Sequence, residues 1–204
     1  MEALSNGSTP GHYGAELGNT DSLTTTKSVI VSQSVFNSNS SGLKVASNSA
    51  VTLNNVTANG NTEVGAYIDN CQMAGACTGA GNVTLLSASG PNQFSYNGKQ
   101  GVNITTNGNI TASKIYADAN GQGNPADPYA GAYFQLKKAG STAQITCGSF
   151  TQSGDYGLDV VFASTFDKLT LKGTLLWSNH QTDGLTTAEY RLNGILVRQL
   201  ALCP

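Results

Sequence analysis

A glycine followed by two alternating apolar residues recurs along this chain. It reads GAEL from Gly14, GLKV from Gly42, GAYI from Gly65 and GVNI from Gly101. It continues as GAYF from Gly131, GLDV from Gly157 and GLTT from Gly184. Successive starts lie about 23 to 36 residues apart, the period range of stacked repeats. A second mark sits inside each period: VIV from Val29, VTL from Val51 and Val83, ITA from Ile110, ITC from Ile145, LTL from Leu169 and ILV from Ile195. A third mark follows at Val35, Val56, Phe94, Ile115, Phe150, and Leu175 or Trp177. The turn back to the next glycine has the same length in FSYNGKQG, FTQSGDYG and WSNHQTDG.

Each mark is a short strand with side chains alternating between two faces. Val51 and Leu53 point one way and Thr52 the other. Leu43 and Val45 share a side opposite Lys44. One period cannot bury its own apolar face, but stacking buries Val51 against Val29 and Val83. The pairing between periods is then parallel, with strands ~4.8 Å apart, and about seven periods make a rod on the order of 30 Å long. Variable period length favours an all-β fold of one kind: a right-handed, single-stranded parallel β-helix of about seven coils, starting near 14, 42, 65, 101, 131, 157 and 184. One domain then spans 1–204. Asn59-Gly60, Asn97-Gly98, Asn107-Gly108 and Asn120-Gly121 suit positive φ at coil corners. Two long coils carry insertions, at 70–82 and 118–131.

Composition is consistent with such a solenoid. Charged residues are 11% of the chain and the formal net charge is −2. That gives no electrostatic footprint for nucleic acid or an anionic membrane. No apolar run reaches the ~20 residues of a membrane helix. The first residues show no basic and apolar pattern of a signal peptide.

The recurring text G-h-x-h … NVTL … NNVTANGN … GAYIDN resembles the tandem β-helix repeats of large bacterial secreted and surface proteins, in the broad pectate-lyase-like superfamily. The likeness covers the chain from about Gly14 to Leu202. It implies an extracellular or cell-surface setting and a segment of a larger protein. It implies little about activity, since that superfamily holds lyases, hydrolases, adhesins and inert stalks.

Four cysteines suit an oxidising compartment. Cys71 and Cys77 flank five residues inside an insertion, and a disulfide there contributes roughly 2 kcal/mol on the loop-entropy view. Cys147, at an inward position of ITC, pairs with Cys203 across the last coils or stands as a small core residue.

Carbohydrate-cleaving β-helices need carboxylates at matching positions of neighbouring coils. The outward position after the glycine reads Glu16, Lys44, Tyr67, Asn103, Tyr133, Asp159, Thr186, with no two acids adjacent. Asp118 and Asp127 share the second insertion and are the weak candidates for a cation, with Asn120 and Asn124. His180 and Asp183 sit in a polar turn, far from His12. Thr52, Thr84, Thr111, Thr146 and Thr170 form one outward row, but the next row is irregular and argues against ice binding. Asn-x-Ser/Thr triplets begin at Asn6, Asn39, Asn55, Asn82, Asn103 and Asn109. Tyr67, Tyr129 and Tyr133 are the candidate sugar-stacking residues, with Tyr116 and Tyr156 behind them; Trp177 aligns with Phe94 and Phe150 as core.

These readings add up to a non-catalytic structural or adhesive module without a cofactor. It binds surface glycans or itself, end to end or laterally. Both ends lack a capping helix, so the fragment either joins in solution or carries irregular polar segments over its ends. The competing expectation is a carbohydrate-active enzyme of the polysaccharide lyase or glycoside hydrolase type.

Overall fold

The computed structural model describes residues 1–6, 9–20, 27–71, 81–122, 129–164, 167–177, 190–192 and 195–197. Among them the chain is all-β, with no helix. The first sheet holds β1 (Tyr13–Gly18), β3 (Ser41–Ala46), β5 (Ala66–Asp69), β8 (Val102–Thr106), β11 (Ala132–Leu136), β14 (Leu158–Phe162), β17 (Tyr190–Leu192) and β18 (Ile195–Val197), in that spatial order. The second holds β2 (Val29–Val35), β4 (Val51–Thr57), β6 (Val83–Leu86), β7 (Asn92–Gln93), β9 (Ile110–Ser113), β10 (Ile115–Tyr116), β12 (Thr142–Thr146), β13 (Ser149–Thr151), β15 (Lys168–Lys172) and β16 (Leu175–Trp177). Beyond β4 it divides into two ribbons, β6-β9-β12-β15 and β7-β10-β13-β16. Strand β4 serves both: its residues 51–54 pair with β6 and Thr57 pairs with Gln93 of β7. The bend between them is Asn55, at φ 57°.

Pairing is parallel throughout except at β17–β18, which is antiparallel. The glycine-led register holds from β1 to β14. Leu43 pairs with Ala15 and Ala66, and Ala132 pairs with Val102 and Leu158. Val51 pairs with Val29 and Val83, all facing the core. The last repeat departs from expectation. Gly184 and Thr186 lie outside the described residues, and the strand that pairs with β14 is Tyr190–Leu192, so Asp159 stands opposite Arg191. Ile195–Val197 pairs antiparallel with that strand and does not continue the second-sheet column.

Two other alignments also shift. Ala143, not Ile145, continues the Val83–Ile110 column, and Gln144 replaces Thr146 in the threonine row. Period-2 alternation is unchanged by a slip of two residues, so the pattern alone could not fix this phase. The third mark merged two columns. Val56 aligns with Ser34, while Asn92 pairs with Ile115. The buried phenylalanines belong to another column, in which Phe150 pairs with Leu176; Trp177 pairs with Thr151.

That column reads Ala3, Phe36, Ala58, Phe94, Ala117, Phe150, Leu176, each linked to the next level by equivalent backbone hydrogen bonds or strand pairing. An inner column of the first sheet reads Ala15, Leu43, Ala66, Val102, Ala132, Leu158. Taken repeat by repeat, Ala15 goes with Phe36, Leu43 with Ala58, Ala66 with Phe94, Val102 with Ala117 and Ala132 with Phe150. In these five levels a small residue on one wall is matched by a large one on another, which holds the summed core volume nearly level; the next level, Leu158 with Leu176, is large on both.

The corner after the phenylalanine column is built by repetition. Ser5, Ser38, Gly60, Tyr96, Ala119 and Gln152 all have φ between 53° and 64°. The residue after each is Asn6, Asn39, Asn61, Asn97, Asn120 and Ser153. Asn39, Asn61, Asn97 and Asn120 are at most 2% exposed. Asn39 N donates to Asn61 Oδ1 (2.9 Å), Asn61 N to Asn97 Oδ1 (3.0 Å) and Asn97 N to Asn120 Oδ1 (2.9 Å). Asn61 Nδ2 also donates to Asn97 Oδ1 (2.9 Å), and Asn97 Nδ2 to Asn120 Oδ1 (3.1 Å). Asn6 N extends the ladder to Asn39 Oδ1 (2.8 Å). The residue before each corner forms a second ladder of opposite sense: Asn59 N donates to Asn37 Oδ1 (2.7 Å), and Ser95 N to Asn59 Oδ1 (2.7 Å).

The recurring glycine is the steric counterpart of this ladder. A Cβ on Gly65 would lie 2.6 Å from Asn97 Nδ2, and one on Gly101 would lie 2.6 Å from Asn120 Nδ2. Both are closer than side chains tolerate. Gly60 and Gly121 have the positive φ expected of Asn-Gly corners, at 64° and 68°. Gly98 is needed for space instead, because a Cβ there would collide with the Thr62 carbonyl.

The ladder reaches further toward the N-terminus than the glycine pattern suggested. Met1–Asn6 lies along β2, with Val35 N donating to Met1 O (2.9 Å) and Ala3 N to Val35 O (2.8 Å). This is an ordered continuation of the repeat rather than an irregular cover.

Asn97→Ala removes the acceptor of two buried donors and should cost roughly 2–5 kcal/mol. Thr52→Ala, on the outer face, should stay within about 0.5 kcal/mol. Denaturant midpoints compare the two, and equal losses would mean that the ladder does not hold the corner.

Candidate functional site

The row that follows the glycine forms one outward line across the first sheet. Glu16 pairs with Lys44, Lys44 with Tyr67, Tyr67 with Asn103, and Asn103 with Tyr133. Asp159 comes next in register, but it is 1% exposed rather than outward in solvent. Alternation puts these residues on the outer face because their neighbours Leu43, Val45, Ala66 and Ile68 fill the core. Tyr67 and Tyr133 are half-buried and stand two strands apart, roughly 10 Å at ~4.8 Å per strand.

Electrostatics concentrate at the start of this row. Lys44 Nζ lies 2.6 Å from Glu16 Oε1 and 5.5 Å from the centroid of the Tyr13 ring. The hydrogen bond to Glu16 raises the Lys44 pKa above its ordinary value. Burial raises the Tyr13 phenol, partly opposed by the Lys44 charge. Burial also raises Tyr67, with the Asp69 charge adding to it. A second pair lies nearby. Lys99 Nζ donates to Glu63 Oε1 (2.8 Å), and Gly11 N donates to Glu63 Oε2 (3.1 Å). The Lys99 bond, then that of Gly11, hold the Glu63 carboxyl below the usual range.

The structure brings together only some of the aromatic residues singled out from sequence. Tyr67 and Tyr133 share the outer row. Tyr116 lies on β10 of the other sheet, 37% exposed. Tyr129 and Tyr156 sit in turns, where Asp155 N donates to Tyr129 O (3.1 Å) and Gly131 N to Tyr156 O (2.9 Å). Two aromatics escaped the sequence reading. Tyr13 precedes the first glycine and breaks the alternation. Tyr96 is 71% exposed because it occupies a corner position with φ 61°.

Asp118 is engaged structurally. Its Oδ1 accepts from Ser149 Oγ (2.8 Å), Thr151 N (2.8 Å) and Thr151 Oγ1 (2.9 Å). Asn120 belongs to the buried ladder, and Asp127 and Asn124 lie outside the described residues. Among the described residues no three His, Cys, Asp or Glu side chains are grouped to hold a metal. Neither Cys71 nor Cys147 is a free thiol. Cys77 and Cys203 lie outside the described residues. Cys147 is a half-buried corner residue at φ 55°, rather than the inward core position read from ITC. His180 and Asp183 also lie outside the described residues. His12 is exposed in a turn, with its backbone N–H bonded to Thr9 O (3.3 Å).

Comparison with protein-family models, with curated proteins and with solved structures gives no match.

An unfolded Glu63 would keep its proton to higher pH than the folded one. Its contribution is therefore present above the ordinary glutamate range, ~4.3, and is lost as pH falls through the lowered folded value. Glu63→Gln should flatten that acid limb. The change should stay under about 1 kcal/mol, because Glu63 is 22% and Lys99 39% exposed. Urea unfolding at several pH values checks this, and an unchanged acid limb would rule the pair out.

Proposed function

We propose that the chain is a right-handed parallel β-helix of about seven coils. In this reading it is an extracellular, non-catalytic module of a larger surface or secreted protein, akin to bacterial β-helix repeat regions. It acts as a stiff spacer that offers one outer face to surface glycans. The observation that carries this reading is the in-register parallel stack, with asparagine repeated at the same corner. Such a stack resists bending because every level is hydrogen-bonded to the next through both backbone and side chains.

The outer row of the first sheet supports the adhesive part. It sets two half-exposed tyrosines and polar Lys44, Glu16 and Asn103 on adjoining strands. Aromatic faces beside polar donors suit the apolar and hydroxyl faces of sugar rings. The same row places no two acids on neighbouring strands, as paired-carboxylate hydrolysis requires.

A glycan array with a parallel reducing-end assay tests the function. Retained glycans without new reducing ends are expected, with Tyr67→Ala and Tyr133→Ala each weakening binding roughly 3–10-fold. New reducing ends would replace this reading with the lyase or hydrolase one.

Disulfides Cys71–Cys77 and Cys147–Cys203 fit the oxidising setting. The first would pin an insertion and the second would tie the C-terminal segment to a corner. Non-reducing peptide mapping should recover both cross-linked pairs. Recovery of four alkylated thiols from the secreted protein would remove the compartment argument.

A further inference from the structure

We infer that the corner between the first sheet and the β6-β9-β12 ribbon is a binding site for an oxyanion group, a carboxylate, sulfate or phosphate. A surface cavity of about 150 Å³ lies there, lined by Asn82, Asn107, Asn109, Lys138 and Ser141 among others. It is several times the ~30 Å³ share of a liquid water, room enough for such a group with part of its hydration.

The lining is biased toward donors by the fold itself. Asn109 N donates to Asn82 Oδ1 (2.9 Å), and Thr142 N donates to Asn109 Oδ1 (2.8 Å). Each carboxamide oxygen already accepts one bond from a strand start, and each side chain keeps two Nδ2 N–H donors against one remaining lone pair. Lys138 is exposed at the rim beside Lys137, and Lys168 stands opposite Thr142 on the next strand. Three of the chain's ten basic residues thus sit on neighbouring segments of this corner, with Lys138 the one that lines the cavity. In a chain this poor in charge, that is a local concentration of positive potential. Among the described residues Asp167 is an acidic group at this corner. Its carboxylate accepts from Gly140 N (2.6 Å) and Ser164 N (3.2 Å), so two backbone N–H groups hold its charge.

This site is separate from the tyrosine row and does not depend on the glycan reading. Its test is an amide-resolved NMR titration of the whole chain with sodium sulfate, using sodium chloride at matched ionic strength as reference. Saturable shifts at Gly108, Ala139, Gly140 and Ser141 are expected. Asn82→Asp and Asn109→Asp keep the acceptor that the neighbouring N–H needs but exchange the donor for a negative charge. Each should weaken sulfate at least tenfold while the spectrum stays folded. Lys138→Ala, at the exposed rim, should weaken it without touching the strand starts and serves as the second variant. Dextran sulfate in a parallel arm distinguishes sources: tighter binding than sulfate indicates a polyanionic chain, and equal binding a free small anion. Shifts no larger than those with chloride, or shifts retained in all three variants, overturn the site.

Discussion

The interaction on which the rest depends is the hydrogen bond from a corner backbone N–H to the asparagine Oδ1 one level on. At a corner the chain leaves its strand, so the backbone ladder cannot satisfy every polar group. Buried and unpaired, each would cost ~1–3 kcal/mol. Asparagines stacked at this place supply both acceptor and donor, as Asn61 and Asn97 do, with Asn120 the acceptor at the next level. The arrangement has two requirements. The preceding residue must accept φ near 55–60°, even where it is Tyr96 or Gln152. The strand that passes beside it must open with glycine, since a Cβ would strike neighbouring backbone carbonyls as well as the carboxamide. Two ladders of opposite sense flank each corner and hold these conformations in place.

Once the corners are fixed, the walls follow. Parallel strands stack in register, inner columns fill the core, and outer columns become straight rows that face solvent until Asp159, which is buried. That separation explains the low charge: few ionic groups are needed when most polar groups are satisfied by the stack. Two ion pairs lie on this outer surface, Glu16 with Lys44 and Glu63 with Lys99.

Much of this was legible because alternation and glycine spacing are coarse signals that survive small errors of phase. Val29, Val51 and Val83 were aligned correctly from pattern alone, and the outward row from Glu16 to Tyr133 was read in full. The errors share a physical cause. A two-residue slip leaves every side chain on its own face, so alternation alone does not distinguish ITC from AQI as the continuing strand and puts Cys147 in the core. The asparagine ladder was read only as turn propensity, because its partners are a whole repeat away and no local rule reports them. Tyr13 and Tyr96 lay where alternation stops, at the junctions between strands. The final repeat failed for a different reason: an antiparallel strand there ends the periodic logic on which the reading was built.

The matched small and large side chains in the core have a consequence for how such a chain can lengthen or shorten. Ala66 beneath a bulky neighbour and Phe94 beneath a small one make adjacent levels unlike, while alternate levels are alike. Removing a single level would set phenylalanine upon phenylalanine in one column and alanine upon alanine in another, crowding one side of the interior and hollowing the other. Excising or duplicating two levels together keeps the parity. A change of length that preserves this packing therefore comes in couplets of levels, and the glycine-to-glycine segment is only half of one.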